Sequence, residues 1–333
     1  MMNKRLKQGT TFLLALALAF PLLTLPGARA ANAIETDRKC SVSFSVSGEG
    51  NELTAADTDI KVNLYKVADV DVSGNYTATK DFTGLNVSSV SADNKDAAAS
   101  EWADRAKEAQ KMLKESVEPT ATVTLAKGIG SKDGLATGLY LVDTPEVVTT
   151  NYTYTFTPYL VSLPTNNYYS NGNDTWIYDL TDTNAIGLKP EEHARYGDLK
   201  INKTLANHNA TTGKKATFVF KIEITPLKGK TETRIESLDF EAAGDSSVTI
   251  TKIPAGAKVK VTEVYSGASY KLTSANDQTA TIVATDRGST NTPASVSFTN
   301  DIDDNMNGGY GVKNNFKLDE NGQYQYTEPA EKN

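Results

Sequence analysis

Alternating apolar and polar residues dominate the chain after its first 40 positions. Val42 and Phe44 alternate with serines, and the same period of two recurs in Ile60–Leu64 and at Val123 and Leu125. Successive side chains of a β-strand point to opposite faces, so this period predicts half-buried strands. Further strand-like segments lie at residues 138–142, 152–163, 176–180, 199–205, 216–224, 246–250, 258–264, 280–284 and 295–300. Short strands separated by turn residues predict a mainly β chain built from β-sandwiches.

One segment has the composition of a helix. Residues 95–117 are rich in alanine, glutamate, lysine and glutamine, which favour helix. Trp102, Ala106 and Ala109 recur at a spacing of three to four and form one apolar face, and Pro119 ends the segment. The pattern predicts a helix inserted between strands of the first domain, with Trp102 as a core residue rather than a ligand platform.

These elements predict two domains joined by a polar linker. Residues 181–197 contain a proline and several acids but few apolar residues, which is typical of a connection between domains. The predicted organisation is a signal peptide at 1–30, a first β-sandwich at 31–180, a linker at 181–197, a second β-sandwich at 198–303 and a tail at 304–333. Tyr324 and Tyr326 indicate an additional strand within the tail.

The N-terminus has the three regions of a secretory signal. Basic residues up to Lys7 precede the apolar run Phe12–Phe20, and small residues lead up to Ala30. We expect cleavage after Ala30 or, as a second choice, after Ala33. The alternative, a transmembrane anchor, is disfavoured because the apolar run is too short and is interrupted by Pro21. A spanning helix needs about 20 apolar residues.

Charge and composition narrow the function further. Removal of residues 1–30 removes four positive charges and no acids, so the net charge changes from −7 to −7 − 4 = −11. An acidic chain lacks the basic surface expected of a nucleic-acid-binding protein. The single cysteine, Cys40, cannot form an intramolecular disulfide, and a buried small residue is the favoured interpretation. Two histidines, His193 and His208, do not suffice for a histidine-rich metal site, and no cofactor is expected.

Three polar residues occur on the apolar faces of three strands in the second domain. Lys203 shares its face with leucines and an isoleucine, Glu263 with two valines, and Asn300 with Val296 and Phe298. Because period-two geometry directs all three side chains inward, and burying them separately is costly, we expect them to meet.

Such a meeting has a chemical consequence. Burial favours the neutral forms of lysine and glutamic acid. A neutral Lys203 is a nucleophile, and a protonated Glu263 can polarise the Asn300 amide and transfer protons as ammonia leaves. The product is an isopeptide bond between the first and last strands of the domain. A buried Lys–Glu salt bridge with a hydrogen-bonded asparagine is the alternative.

The same stretches resemble a known family. The resemblance rests on Asp198–Leu205, on Ile253–Ala257 leading into Val261–Glu263, and on Val296–Asn300. They are similar to the Cna protein B-type and pilin isopeptide domains of Gram-positive surface proteins. The resemblance implies an immunoglobulin-like β-sandwich with Lys203 and Asn300 as the linking residues and Glu263 as the catalytic acid.

The first domain resembles the N-terminal domain of sortase-assembled pilins more loosely. The matching stretches are Val62–Val67, Gly138–Val142, Thr157–Pro164 and Trp176–Asp179. Asp143 stands in the region where such domains often have a glutamate, and Lys66 has no evident acid and amide partners, so no second cross-link is assigned.

Lys189 lies where pilin shafts carry the lysine that accepts a neighbouring subunit, but the usual Tyr-Pro-Lys-Asn sequence is missing. A solvated linker lysine is the competing interpretation.

The last residues, Glu328–Asn333, contain neither an LPxTG-like signal nor an apolar segment. Leu163–Asn166 is superficially similar to such a signal, and we interpret it as structural. We therefore expect either a truncated sequence or another means of attachment to the surface. If Lys189 is functional, the protein can act only as an acceptor for a sortase.

The favoured function is an exported structural or adhesive surface protein, with other pilin or surface subunits as partners; the sequence identifies no host or matrix ligand. A secreted carbohydrate- or protein-binding module is the alternative, suggested by tyrosine-rich stretches that include Tyr168 and Tyr169. An enzyme acting on external substrates is disfavoured, because no Gly-x-Ser-x-Gly elbow, metal-spaced histidines or Cys–His pair occur. Asn314 and Asn315 are a second candidate asparagine pair for the cross-link.

Overall fold

The structure is a computed structural model. It describes residues 33–46, 52–55, 58–88, 95–114, 116–166, 175–182, 185–209, 215–267, 269–286, 288–303, 315–318, 321 and 323–327. The predicted signal peptide, Tyr168, Tyr169 and Asn314 lie outside these residues.

The chain divides into two compact units. The first comprises Met1–Thr149 and Tyr154–Glu192, and the second comprises Thr150–Thr153 and His193–Asn333. Both are built mainly of strands, which confirms the predicted mainly β class. None of the helices within the described ranges is long and apolar enough to span a bilayer.

The first fourteen strands and the single α-helix of the described chain precede residue 195. They are β1 (Cys40–Ser45), β2 (Asp59–Val70), β3 (Tyr76–Ala78), α1 (Lys95–Met112), β4 (Ala121–Ala126), β5 (Ile129–Leu135), β6 (Gly138–Asp143), β7 (Val147–Val148), β8 (Tyr152–Phe156), β9 (Tyr159–Leu163), β10 (Thr165–Asn166), β11 (Trp176–Ile177), β12 (Asp179–Leu180), β13 (Ile186–Gly187) and β14 (Pro190–Ala194). Within the described residues, nine strands of the first unit form one sheet in the order β12-β1-β5-β4-β2-β6-β9, with β13 paired to β1 and β3 to β2.

The inserted helix α1 packs on one face of this sheet. Trp102, Ala106 and Ala109 are buried in a cluster with Leu139 and Leu141 of β6, as the spacing predicts. The helix ends at Met112 rather than at residue 117. After Met112 the chain continues in turns in which a backbone N–H donates to the carbonyl three residues before it. One example is the Leu113 N–H, which donates to the Gln110 carbonyl at 3.1 Å.

The segment predicted to be a linker contains regular structure. β13 pairs in parallel with β1, where Ile186 lies opposite Phe44, and the Leu188 N–H donates to the Ser45 carbonyl at 2.8 Å. Ile186 and Leu188 are buried. Two apolar residues with period two inside a polar stretch thus suffice to add a short strand to the edge of a sheet.

The second unit contains two four-stranded sheets. Its strands are β15 (Tyr196–Leu205), β16 (Ala216–Thr225), β17 (Glu232–Phe240), β18 (Gly244–Pro254), β19 (Lys258–Tyr265), β20 (Tyr270–Leu272), β21 (Asp277–Thr281), β22 (Ala294–Ile302), β23 (Asn315–Leu318) and β24 (Tyr324–Thr327). One sheet has the order β18-β15-β22-β20 and the other β17-β16-β19-β21, while β23 and β24 form a hairpin.

Inward-facing residues of both sheets form the core of this sandwich. They include Leu199 and Ile201 of β15, Phe218 and Phe220 of β16, and Phe298 of β22. Full burial of each such side chain contributes about 1.5–3 kcal/mol. The alternation that identified the strands therefore also supplies the energy that joins the two sheets.

A tight turn fixes the entry into β19. The Ala257 N–H donates to the Pro254 carbonyl at 3.2 Å, and Gly256 has a φ of 76°. A positive φ at the third position of a β-turn is readily adopted by glycine because it lacks a Cβ. The Pro-Ala-Gly-Ala sequence thus sets where β19 begins, and with it the inward face of the strand.

Candidate functional site: a buried lysine, glutamate and asparagine

The two sheets of the second unit each contribute to one buried polar cluster. Lys203 lies on β15 and Asn300 on β22, which are adjacent strands of the same sheet, whereas Glu263 lies on β19 of the facing sheet. The structure therefore brings together the three residues that the face pattern singled out.

Strand register explains how Lys203 and Asn300 reach each other. β15 and β22 run parallel, with Lys203 opposite Phe298 and Leu205 opposite Asn300. The two residues are thus diagonal neighbours, two positions apart on the same face. A lysine side chain is long enough to contact a diagonal neighbour, whereas a shorter side chain does so less readily.

The three functional groups are in direct contact. Lys203 Nζ donates a hydrogen bond to Asn300 Oδ1 and lies 3.0 Å from Glu263 Oε2. Asn300 Nδ2 donates to Glu263 Oε1 at 2.6 Å. Glu263 Oε2 makes its ion-pair contact with Nζ but accepts no hydrogen bond of good geometry. One carboxyl group therefore touches both the amine and the amide nitrogen.

The surroundings of this cluster are apolar and buried. Lys203 is 1% exposed, Glu263 4% and Asn300 0%. The Nζ atom lies 4.4 Å from the centre of the Phe218 ring. The rings of Phe220 and Phe298, the residues opposite Glu263 and Lys203 in their strand pairs, have centres 5.2 Å apart. A low local dielectric strengthens each polar contact and raises the cost of any unpaired charge.

Burial changes the acidity of the lysine. The pKa of Lys203 is lowered from its ordinary value, because desolvation of the ammonium outweighs the opposing attraction of the Glu263 carboxylate. A larger fraction of Lys203 is therefore neutral at a given pH than of a solvated lysine.

This arrangement contains a nucleophile, an electrophilic carbonyl carbon and a group that can move protons between them. The Lys203 Nζ atom lies against the Asn300 amide, and the carboxyl oxygens of Glu263 contact both nitrogens. Such a set is chemically competent for transamidation. Without that reaction, the same contacts form a buried ion pair with a hydrogen-bonded amide.

Other predicted residues lie elsewhere. Lys189 is exposed next to the end of β13. Lys66 is mostly buried, pairs with Asp69 at 2.5 Å and contacts neither a buried acid nor a buried asparagine among the described residues.

Asn315 is the first residue of β23 and lies opposite Thr327 in the strand pair. Thr165 of the Leu-Pro-Thr-Asn stretch is 4% exposed and pairs with Ile177. No group of three potential metal ligands occurs among the residues that the structure describes.

Residues not predicted from the sequence also contact the cluster. Phe218 faces the lysine amine, and Asn276 accepts a hydrogen bond from the Glu263 backbone N–H at 3.1 Å. The period of β16 places Phe218 in the core, but only the paired strands reveal which core residue lies beside Lys203. Asn276 lies in a polar turn, whose long-range contacts the sequence pattern does not specify.

Comparisons with known proteins give one family match. The model of DUF5979, a domain of unknown function, matches residues 199–303. No curated protein matches the chain.

Several solved structures are similar at low identity. They include the minor pilin GBS52 of Streptococcus agalactiae, at 11% identity over 82% of this chain and 100% of that chain with a TM-score of 0.24. The major pilin SpaA of Corynebacterium diphtheriae matches at 11% over 79% and 100%, with a TM-score of 0.23. The fimbrial protein FimP of Actinomyces oris matches at 12% over 72% and 64%, with a TM-score of 0.29. Scores of this size do not establish a common overall fold, so the function of this chain has to be inferred from its own residues.

Proposed function

We propose that the chain is an exported, pilin-like structural or adhesive protein of the cell surface, stiffened by a self-formed isopeptide bond between Lys203 and Asn300. The observation that carries the proposal is the buried contact of Lys203, Glu263 and Asn300. Export is supported by the signal-like N-terminus, and the surface role by the resemblance of the second domain to Cna B-type and pilin domains.

The proposed reaction needs no group from outside the core. Protonated Glu263 polarises the Asn300 carboxamide, whose Nδ2 lies 2.6 Å from Oε1, and neutral Lys203 Nζ attacks the Asn300 Cγ atom. The carboxyl group gives its proton to Nδ2 and takes onto Oε2, 3.0 Å from Nζ, the proton that the amine loses. The C–N bond to Nδ2 breaks and ammonia leaves, so the carboxyl group is protonated again at the end. One amine and one carboxamide thus become one secondary amide and one ammonia.

Energetics favour this product over a permanent ion pair. A buried ion pair usually gains little net stability, because desolvating both charges offsets their attraction. An amide in the same position carries no net charge and keeps the strands joined. The three polar residues in an otherwise apolar core thereby acquire a function that a salt bridge does not give them.

Intact mass of the mature protein tests the proposal. The wild-type chain is expected to be lighter than its sequence by one ammonia, and Glu263→Ala is expected to have the unmodified mass. Glu223→Ala is the matched control, since Glu223 lies on the neighbouring strand β16 and pairs with Lys221 at 3.2 Å away from the cluster. An unmodified wild-type mass would refute the cross-link.

Assembly through Lys189 is the second part of the proposal. The side chain is exposed two residues after the end of β13, and the preceding residue, Leu188, is hydrogen-bonded through its backbone to Ser45 of β1. An exposed amine on an anchored backbone suits an acceptor for a sortase-bound neighbouring subunit.

A sortase reaction tests this part. With a sortase and a donor subunit, the wild-type chain is expected to form a covalent adduct, and Lys189→Arg is expected to form none. Lys132→Arg, on strand β5 of the same unit, serves as the control for an exposed lysine. An adduct of equal yield in the Lys189 variant would exclude this residue as the acceptor.

A further inference from the structure

The segment from Thr273 to Gln278 crosses from one sheet of the second unit to the other. It leaves β20, which belongs to the sheet of Lys203 and Asn300, and enters β21, which belongs to the sheet of Glu263. We refer to it as the 273–278 segment. It contributes no reactive group, yet its polar atoms contact both strands that carry the amide and the acid.

On one side the segment is bonded to the residue before Asn300. The Thr273 N–H donates to the Thr299 carbonyl at 2.8 Å, and the Thr273 hydroxyl donates to the same oxygen at 3.0 Å. In return, the Thr299 N–H donates to Ser274 Oγ at 3.1 Å. The backbone that presents Asn300 is thus fixed from both its N–H and its carbonyl side.

On the other side the segment is bonded to Glu263 itself. The pairing of β19 with β21 ends at Thr262 and Asp277, so Asn276 occupies the position opposite Glu263. Its side-chain oxygen accepts the Glu263 N–H at 3.1 Å where a paired strand would offer a backbone carbonyl. The pairing of β19 with β16 also shifts register immediately after Glu263. Asn276 therefore supports the backbone of Glu263 where both ladders are interrupted.

Gln278 adds a further link to β22. Its side-chain amide both donates to the Ser297 carbonyl and accepts from the Ser297 N–H. The segment consequently ties β22 at two residues, Ser297 and Thr299, while Asn276 ties β19.

We propose that the 273–278 segment is a positioning element for isopeptide formation, in which Ser274 and Asn276 set the contact between Glu263 and Asn300. The inference rests on the proposed function. The acid and the amide belong to different sheets, and the segment is hydrogen-bonded to the strand that carries each of them. Reactions of this kind are sensitive to displacements of about 1 Å, which can cost about 100-fold in rate. Hydrogen bonds from one short segment to both strands restrict that displacement.

The experiment follows the reaction in the full chain as it is made. The protein is synthesised in a cell-free reaction, samples are quenched in acidic denaturant at intervals, and intact mass gives the fraction that has lost ammonia. Ser274→Ala and Asn276→Ala remove the two acceptors, and neither side chain is part of the apolar core. Ser274→Thr and Asn276→Asp keep an oxygen that can accept the same N–H.

The matched control is Asn291→Ala. Asn291 is exposed and donates to the Ala284 carbonyl at 3.0 Å, beyond the opposite end of β22 from Asn300. This substitution removes an asparagine hydrogen bond from a loop of the same unit without touching either β19 or Thr299.

We expect the two alanine variants to react about tenfold more slowly than wild type, and Ser274→Thr, Asn276→Asp and Asn291→Ala to react within about twofold of it. Alanine variants as fast as Asn291→Ala would overturn the positioning role. So would a Ser274→Thr variant as slow as Ser274→Ala, because the hydroxyl oxygen would then not be responsible. A wild-type chain that never loses ammonia overturns the proposed function itself, which is a separate result.

Folding stability distinguishes positioning from a general structural effect. In a Lys203→Met background no cross-link can form, so Ser274→Ala and Asn276→Ala can be compared for unfolding alone. We expect their unfolding midpoints in denaturant to differ little from that of Asn291→Ala in the same background. A marked loss of stability shared by both variants would assign the slow reaction to poor folding and overturn the positioning role.

Discussion

A variant that cannot form the proposed cross-link but keeps the buried packing is the most informative perturbation of the second unit. The double variant Lys203→Met and Glu263→Gln keeps the shapes of both side chains, and glutamine can still accept the hydrogen bond of Asn300 Nδ2. It removes the nucleophile and the proton-transfer group together. Replacing a buried charged pair by neutral groups of similar volume is often close to neutral for stability. The difference from wild type therefore reports mainly the covalent bond.

The expected magnitude follows from the length of chain that the bond closes. Lys203 and Asn300 are separated by 97 positions. In the chain-entropy model developed for disulfides, closing a loop of this length destabilises the unfolded state by about 4.7 kcal/mol. For the sandwich at residues 198–303, which has about 100 residues, this corresponds to a fall in Tm of about 20 °C in the double variant.

Calorimetry combined with fluorescence measures this difference in the full chain. Both tryptophans, Trp102 and Trp176, lie in the first unit, so tryptophan fluorescence follows that unit and the remaining calorimetric transition belongs to the second. Only the second transition is expected to fall, and intact mass verifies the cross-link in the wild type. A fully cross-linked wild type whose second transition lies within about 4 °C of the variant, or about 1 kcal/mol, would refute the loop-closure reasoning.

Three further predictions concern single residues. In Asn300→Ala, Lys203 stays free, and its pKa in the folded state is below its ordinary value of 10.5. Unfolding therefore takes up a proton between those two pKa values, and the free energy of unfolding rises with pH across that interval. Denaturant titrations at several pH values should show this slope, and Lys203→Met in the same background should lack it. Cys40 is 0% exposed, and its burial raises the pKa of the thiol to about 11. Iodoacetamide should therefore label Cys40 only after denaturation. Rapid stoichiometric labelling of the native chain would contradict this. A Cβ at Gly197 would lie 1.8 Å from the Val283 carbonyl oxygen. Gly197→Ala should therefore lower the free energy of unfolding of the second unit by about 1–3 kcal/mol. An unchanged denaturation midpoint would count against this close packing.

The mainly β class and the inward direction of Lys203, Glu263 and Asn300 follow from local pattern alone. A strand has a period of two, so each residue's face is determined once its apolar neighbours are known. The same rule did not predict the edge strand β13 in the polar segment before residue 190. There Ile186 and Leu188 are too few to predict a strand, and the partner β1 supplies the remaining interactions.

The contacts of the 273–278 segment could not be predicted in this way. Serine, threonine and asparagine in a turn bond to whichever backbone groups are nearby, and those groups belong to strands distant in sequence. Thr299 and Glu263 become neighbours of the segment only when both sheets are assembled. Sequence pattern thus identifies the three candidate reactive residues, whereas only the tertiary structure shows which residues contact the strands that carry them.

The chemistry of the proposed bond suits a chain with a single cysteine. A disulfide requires two thiols and an oxidant, whereas the amide between Lys203 and Asn300 forms without any change of oxidation state. Its requirements are a desolvated amine and a carboxyl group in contact with both nitrogens, and these exist only when β15, β22 and β19 are in register. A one-residue slip of any of these strands would turn its polar residue to the opposite face. The bond would therefore form in correctly paired strands and make that pairing permanent.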